Sequence, residues 1–240
     1  MSQTARHTIR CPFCGARQDV ELFDAINVQA HPEHRDALMA NQINHVTCAS
    51  CGRGFRVDKP LLYNDPGHGF MVYWLPMPES RAAEAETEFR RLLERLGQQN
   101  WTGPIPLLHL VLDRIELVER IFLLEASLDV RIIEYIKYLI YSKNLERLDP
   151  RHKRLLFDAQ DSDEAHLVFV VQDTVRGQLE TIVHYRRDAY RALCEAFDED
   201  HETARLLELF PGPYFSARRL LHDAAGSAAA PAEESPSPGS

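Results

Sequence analysis

Two matched motifs, Cys11-Pro-Phe-Cys14-Gly and Cys48-Ala-Ser-Cys51-Gly, constrain this chain more than any other feature. A C-x-x-C turn lets two thiolates grip one ion from a tight knuckle. The glycine after each pair relieves the backbone where amides approach sulfur. Two knuckles supply four soft ligands at the corners of a tetrahedron, the preference of zinc. The 33 residues between Cys14 and Cys48 exceed the usual spacing of about fifteen to twenty, room for a strand and a short helix as an insertion. Redox C-x-x-C sites fit less well, because neither pair opens a helix that would depress a thiolate pKa. Structural disulfides do not suit a chain whose start, MSQTARHTIRCPFCG, shows no apolar signal region. Iron also accepts four cysteines. The expected site is Cys11, Cys14, Cys48 and Cys51 around one structural zinc. Four protein thiolates leave no position for water, which argues against metal-assisted hydrolysis.

Composition sets that site in an ordinary globular chain. Of 240 residues, 45% are hydrophobic and 26% charged, enough apolar material for one large domain or two modest ones. The formal charge of −9 is a poor match for wrapping duplex nucleic acid, which needs a basic footprint. Residues 1–77 hold seven basic and seven acidic side chains, whereas residues 149–223 hold ten and fifteen. The cysteine-bearing region is therefore neutral, and most of the acidity lies C-terminal to it. Arg114, Glu119, Glu125 and Glu134 interrupt the most apolar stretch, so no run of roughly 18 apolar residues remains to span a membrane. A cytoplasmic protein with no membrane contact is expected.

Hydrophobic periodicity predicts strands over 18–27, 44–47, 54–58, 61–63 and 70–75, with a short helix opening at His31-Pro32-Glu33 and running to Met39. Pro76 and Pro78 close this part, which sets an N-terminal domain at 1–77. A helix over 79–97 follows, with Phe89, Leu92, Leu93 and Leu96 on one face. After a loop at 101–106 come a strand at 107–112 and amphipathic helices over 114–128 and 129–142. Strands at 154–160, 167–173 and 179–185 are joined by links short enough for hairpins, then helices over 187–197 and near 201–209. From Ala224 onward the chain is small, Pro- and Ser-rich and apolar-poor, so disorder is expected. The fold class is α+β: an N-terminal zinc-ribbon-like β domain with a helical insertion, then an α+β region over 78–223 with an antiparallel sheet, and a tail over 224–240.

CPFCG, the stretch HVTCASCGRGFRVD and the following LLYNDPGHGFMVYWLP together resemble the CpXC family, a bacterial and archaeal zinc-ribbon-like group, over about residues 8–77. RIELVERIFLLEASLDVRIIEYIKYLI resembles the helical part that tends to follow. The resemblance implies a zinc-binding domain with no established biochemical activity, and carries over Cys11, Cys14, Cys48 and Cys51 as ligands. It supplies no catalytic residue. Ala49 stands where the family name expects proline, a change expected to alter turn rigidity and not ligation.

Other candidates have plainer readings. His45 could replace a thiolate, but four cysteines already suffice. His31 and His34 share one face of the helix start, where a second metal would need further partners, so a solvated helix end is expected. Phe13 and Phe55 are expected to pack the small ribbon core. Cys194 is expected to be a buried, inert thiol, with none of His152, His166 or His184 singled out as its partner. The acidic run Asp158, Asp161, Asp163, Glu164 lacks the glycine and terminal glutamate of a calcium loop and reads as a solvated turn. No phosphate-binding loop, nucleophile elbow or dinucleotide fingerprint occurs.

These features favour a non-enzymatic module in which the ribbon, held together by zinc, presents a rigid surface to a partner protein. One alternative is an enzyme with its active site in the C-terminal region. The other is a nucleic-acid-binding ribbon, which a contiguous Arg17, Arg53, Arg56 face would favour.

Overall fold

The computed structural model describes residues 2–97, 107–198 and 200–228. The expected loop at 101–106 and residues 229–240 of the expected tail lie outside them. The chain divides into two compact units, Met1–Val130 with Pro211–Phe215, and Arg131–Phe210 with Ser216–Ser240. Together they are α+β, as expected.

The first unit is built on a five-stranded mixed sheet. Its strands are β1 (Gln3–Arg10), β2 (Arg17–Asn27), β5 (Leu61–Asp65), β6 (Phe70–Trp74) and β7 (Leu107–Val111), in the order β1-β2-β5-β6-β7. Pairing is antiparallel for β1–β2 and β5–β6, and parallel for β2–β5 and β6–β7. A parallel pair needs a crossover connection. The one from β2 to β5 carries α1 (Glu33–Met39) and a small hairpin of β3 (His45–Thr47) and β4 (Gly54–Arg56). The one from β6 to β7 carries a short 3-10 turn and α2 (Ala82–Gly97), and α3 (Arg114–Glu125) follows β7.

The continuous apolar run FMVYW of β6 is buried at every position, as suits a strand covered on both faces. Its side chains alternate between two cores. Phe70, Val72 and Trp74 join Ile26, Leu38, Leu61, Tyr63, Leu117 and Ile121. Tyr73 joins Leu75, Ala82, Ala85, Phe89, Leu110 and Tyr214. Helices α1 and α3 thus cover one face, while α2 and the returning segment 211–215 cover the other. The start of α3 is fixed by a capping box: the Glu116 N–H donates to Asp113 Oδ1 at 2.8 Å, and Glu116 Oε2 accepts from the Leu112 and Asp113 amides.

Three expectations change here. The position 77/78 falls inside this unit, because β7 joins the edge of β6. The strand β1 had no counterpart in the periodicity, since only Ala5, His7 and Ile9 turn inward and only halfway. Leu93 leaves the apolar face of α2 and is 42% exposed, whereas Phe89 is buried and Leu92 packs against that core.

The second unit contains an antiparallel sheet of β8 (Lys153–Asp158), β9 (His166–Asp173) and β10 (Leu179–Arg186) with β9 central. Its helices are α4 (Val130–Lys143, the first residue of which belongs to the first unit), α5 (Arg187–Asp198), α6 (Asp200–Leu209) and α7 (Ala217–Ala228). Ile133, Ile136, Leu155, Leu167, Phe169 and Val171 are buried. Helix α7 carries regular structure past Ala224, where disorder was expected, because alanine is the strongest helix former.

Candidate metal centre

Each cysteine pair sits at the tip of a β-hairpin. Residues 11–16 join β1 to β2, and residues 48–53 join β3 to β4. The two turns repeat one backbone pattern. The Cys11 N–H donates to Ala16 O and the Gly15 N–H to Cys11 O, both at 2.9 Å. The Cys48 N–H donates to Arg53 O and the Gly52 N–H to Cys48 O, again both at 2.9 Å. Gly15 and Gly52 have φ of +74° and +71°, where a side chain is disfavoured. A Cβ at either would meet nothing within 4 Å, so the backbone angle and not the space requires glycine.

The tips bring the four thiols together. Cys11 Sγ lies 3.7 Å from Cys51 Sγ, and Cys14 Sγ lies 3.7 Å from Cys48 Sγ. All four ligand atoms fall within 4.8 Å of one another. These contacts cross between knuckles and are far longer than a disulfide bond of about 2.05 Å. They match the edge of a tetrahedron with metal–sulfur bonds of about 2.3 Å, whose corners stand about 3.8 Å apart. The group could therefore hold a metal ion. Cys11 and Cys48 are buried, and Cys14 and Cys51 exposed.

The thiols differ in acidity. The Arg53 amide draws the Cys51 thiol down to about 6, against some burial, with the Arg53 side chain and the Cys48 and Cys14 thiols adding to the effect. Burial opposes ionisation of Cys11, yet the Phe13 and Cys14 amides and the neighbouring thiols lower it overall. The Phe13 amide lies 3.4 Å from Cys11 Sγ. Cys14 receives the Ala16 amide, but burial and the other three thiols push it up to about 11. Cys51 is thus the thiol drawn furthest toward its ionised form, and Cys14 is held toward its protonated one. Such a cluster is ready for a cation and releases protons when it takes one.

The frame around the tips comes from polar side chains. Gln18 Oε1 accepts from the Ala49 N–H at 2.8 Å, and its Nε2 donates to Thr47 O at 3.2 Å. It thereby ties β2 to the second knuckle across the Ala49 position. His45 is not in the cluster: its ring lies against Gly54, where a Cβ would come within 2.7 Å of Cε1. Phe13 is 47% exposed and does not join the core. It meets Phe55 edge-on at 6.3 Å and carries the Arg53 guanidinium 4.2 Å over its ring. The Arg56 guanidinium donates to Asp58 and Asn41.

The other candidates lie elsewhere. Cys194 is half-buried on α5, not fully buried. Asp158 and Asp163 accept backbone amides of their own turn, from Gln160 and Asp161 and from Ala165 and His166. Among the described residues, no helix is long and apolar enough to cross a membrane.

Two hairpin tips that gather four thiols beside a mixed sheet define a cysteine-knuckle α+β domain with a possible metal site. The chain belongs to the CpXC family: the family profile, described as CpXC protein, matches residues 9–137, more than half of the length. That span covers both knuckles, four of the five strands of the main sheet (β2, β5, β6 and β7) and α3. No curated protein and no solved structure matches the chain.

Proposed function

We propose that Cys11, Cys14, Cys48 and Cys51 hold one structural zinc ion in a zinc-ribbon-like pair of hairpins, and that this domain is a non-enzymatic module that binds a partner protein. The observation that carries the zinc reading is the pair of 3.7 Å cross-knuckle sulfur contacts, together with a ligand set of sulfur alone. When bound, the ion supplies a rigid cross-link between hairpins and no open coordination position.

The interaction reading rests on Phe13. An exposed aromatic ring held at a knuckle tip by a stacked guanidinium is the kind of anchor that buries well in a partner's pocket. The neutral charge of residues 1–77 favours a protein over nucleic acid. Protein purified under reducing conditions and passed through gel filtration is expected to retain about one tightly held zinc per chain. Partners captured by the intact chain are expected to be lost both with Cys48→Ser and with Phe13→Ser, the latter at unchanged zinc content. No retained metal would end the zinc reading, and partners indifferent to Phe13→Ser would end the docking one.

A further inference from the structure

His31, Glu33 and His34 bring three ligand-type atoms within 4.8 Å of one another at a place unconnected with the thiols. His31 Nδ1 lies 3.2 Å from Glu33 Oε1, and the His31 and His34 rings stack with centroids 5.0 Å apart. Proximity in sequence alone would leave such side chains free to splay, but this group is held from below. Asn27 O accepts from the His31 N–H at 3.0 Å, and Asn27 Oδ1 accepts from the Gln29 and Ala30 amides, which sets the approach of His31. The His34 ring meets Phe23 edge-on at 4.8 Å, and its Nδ1 lies 3.0 Å from Ser2 Oγ. Ser2 Oγ is itself fixed by the Asn27 N–H at 3.1 Å. With Nδ1 engaged by this fixed hydroxyl, the His34 ring is oriented and its Nε2 is the nitrogen left for a metal, as a hydrogen-bonded second nitrogen orients histidine ligands in metal sites.

We infer that His31, His34 and Glu33 form a second metal site, an exchangeable one for a borderline divalent transition ion such as zinc or nickel. Two imidazoles and one carboxylate suit that class and not calcium or magnesium, which take oxygen sets. Three protein ligands on a half-open surface leave coordination positions for water, so this ion is held more loosely than one among four thiolates. In the sequence Glu33 reads as an ordinary acidic residue of a helix start, which hides the third partner of His31 and His34.

Equilibrium dialysis of the full chain against micromolar zinc, with metal and protein measured on one sample, is expected to give about two ions per chain. His31→Ala/His34→Ala is expected to give about one, with the circular dichroism spectrum unchanged. Cobalt(II) separates the two sites: the thiolate-to-cobalt charge-transfer band belongs to the cysteines, so it persists in the double histidine variant and is lost in Cys48→Ser. Glu33→Gln is expected to weaken the second ion by about tenfold or more. Saturation of the wild type at the thiolate-bound ion alone, a second ion kept by the double histidine variant, or a second ion indifferent to Glu33→Gln would each overturn the assignment. A missing charge-transfer band in the wild type would bear on the cysteine site and leave this one standing.

Discussion

The Asn44 side chain takes the place of a missing strand neighbour for Phe23. The Phe23 N–H donates to Asn44 Oδ1 at 2.7 Å, and Asn44 Nδ2 donates to Phe23 O at 3.1 Å. Phe23 pairs with Thr4 of β1 on its other side, while β5 reaches β2 only from Ala25 onward. Asn44 is buried, holds φ of +57°, and its own carbonyl accepts from the Val57 N–H at 2.9 Å. One residue thus ties the β3–β4 hairpin, and with it the second knuckle, to the main sheet. Asn44→Ala leaves the half-buried Phe23 N–H without its acceptor, at about 1 kcal/mol or more, and adds about 1–2 kcal/mol for a side chain in the left-handed region. Asn44→Gly incurs the first cost and not the second. Native-state hydrogen exchange of the β2 amides is expected to rank wild type, Gly, then Ala in order of falling protection. Equal losses in the two variants would show that the backbone angle contributes nothing.

Metal removal is expected to act locally. The core of the first unit is built from Ile26, Leu38, Leu61, Tyr63, Val72, Trp74, Leu117 and Ile121 on one face of the sheet, and none of these is a knuckle residue. The sequence suggested a small ribbon core dependent on zinc, but the sheet and its helices provide a larger core of their own. A strong chelator under reducing conditions is therefore expected to abolish amide protection over residues 11–18 and 45–56 while leaving that of β5 and β6 in place. Loss of protection throughout residues 2–97 would show instead that the thiol cluster governs the folding of the whole sheet.

The parts legible in the sequence are those in which one residue type at one spacing has a single physical use. The two C-x-x-C-G turns point to one shared site and the run FMVYW reads as a strand; the structure gathers the four thiols and buries that strand at every position. Less was legible where the signal lies in a partner far along the chain. The inward positions of β1 are Ala5, His7 and Ile9, too weak a stripe to announce a strand, and it is the eight-residue ladder with β2 that makes it one. Phe13 reads as a core aromatic, yet the tip of a six-residue turn has no core to enter. Gln18 and Asn44 look like ordinary polar residues until the backbone groups they satisfy, at Thr47, Ala49 and Phe23, are brought to them by the fold. The β6–β7 pairing depends on a crossover of more than thirty residues, which no local pattern reveals.

Acid should weaken the second unit through Asp173. Its Oδ1 accepts from the Val175 and Arg176 amides at 2.9 and 2.8 Å, and its Oδ2 accepts from Lys153 Nζ at 3.0 Å. The Arg176 amide and then Lys153 draw the carboxyl from its ordinary 3.8 down to about 2. A carboxyl with a lower pKa folded than unfolded stabilises fully above the unfolded value and ceases to do so as pH falls through the folded one. Asp173→Asn is thus expected to lower the melting temperature at neutral pH, with the gap to wild type narrowing between about pH 4 and pH 2. A gap that stays constant across that range would assign the effect to shape and not to charge.

Glu134 and Lys137, one turn apart on α4, form an ion pair at 2.8 Å with side chains only 9% and 5% exposed. The second Glu134 oxygen accepts from the Ala217 N–H at 2.8 Å, which holds the first turn of α7. Taking two charges out of water is costly, and their attraction offsets that cost only while both are present. Glu134→Leu takes from the buried Lys137 ammonium the carboxylate at 2.8 Å and also frees the Ala217 amide, so a loss of about 3–5 kcal/mol is expected. Lys137→Met is expected to fall in the same range, because it leaves a buried carboxylate. The double variant removes both charges and is expected to lose less than either single one. Urea unfolding of the three variants measures this directly. If the double variant instead loses the sum of the single ones, the two groups do not interact, and Glu134 acts only through α7.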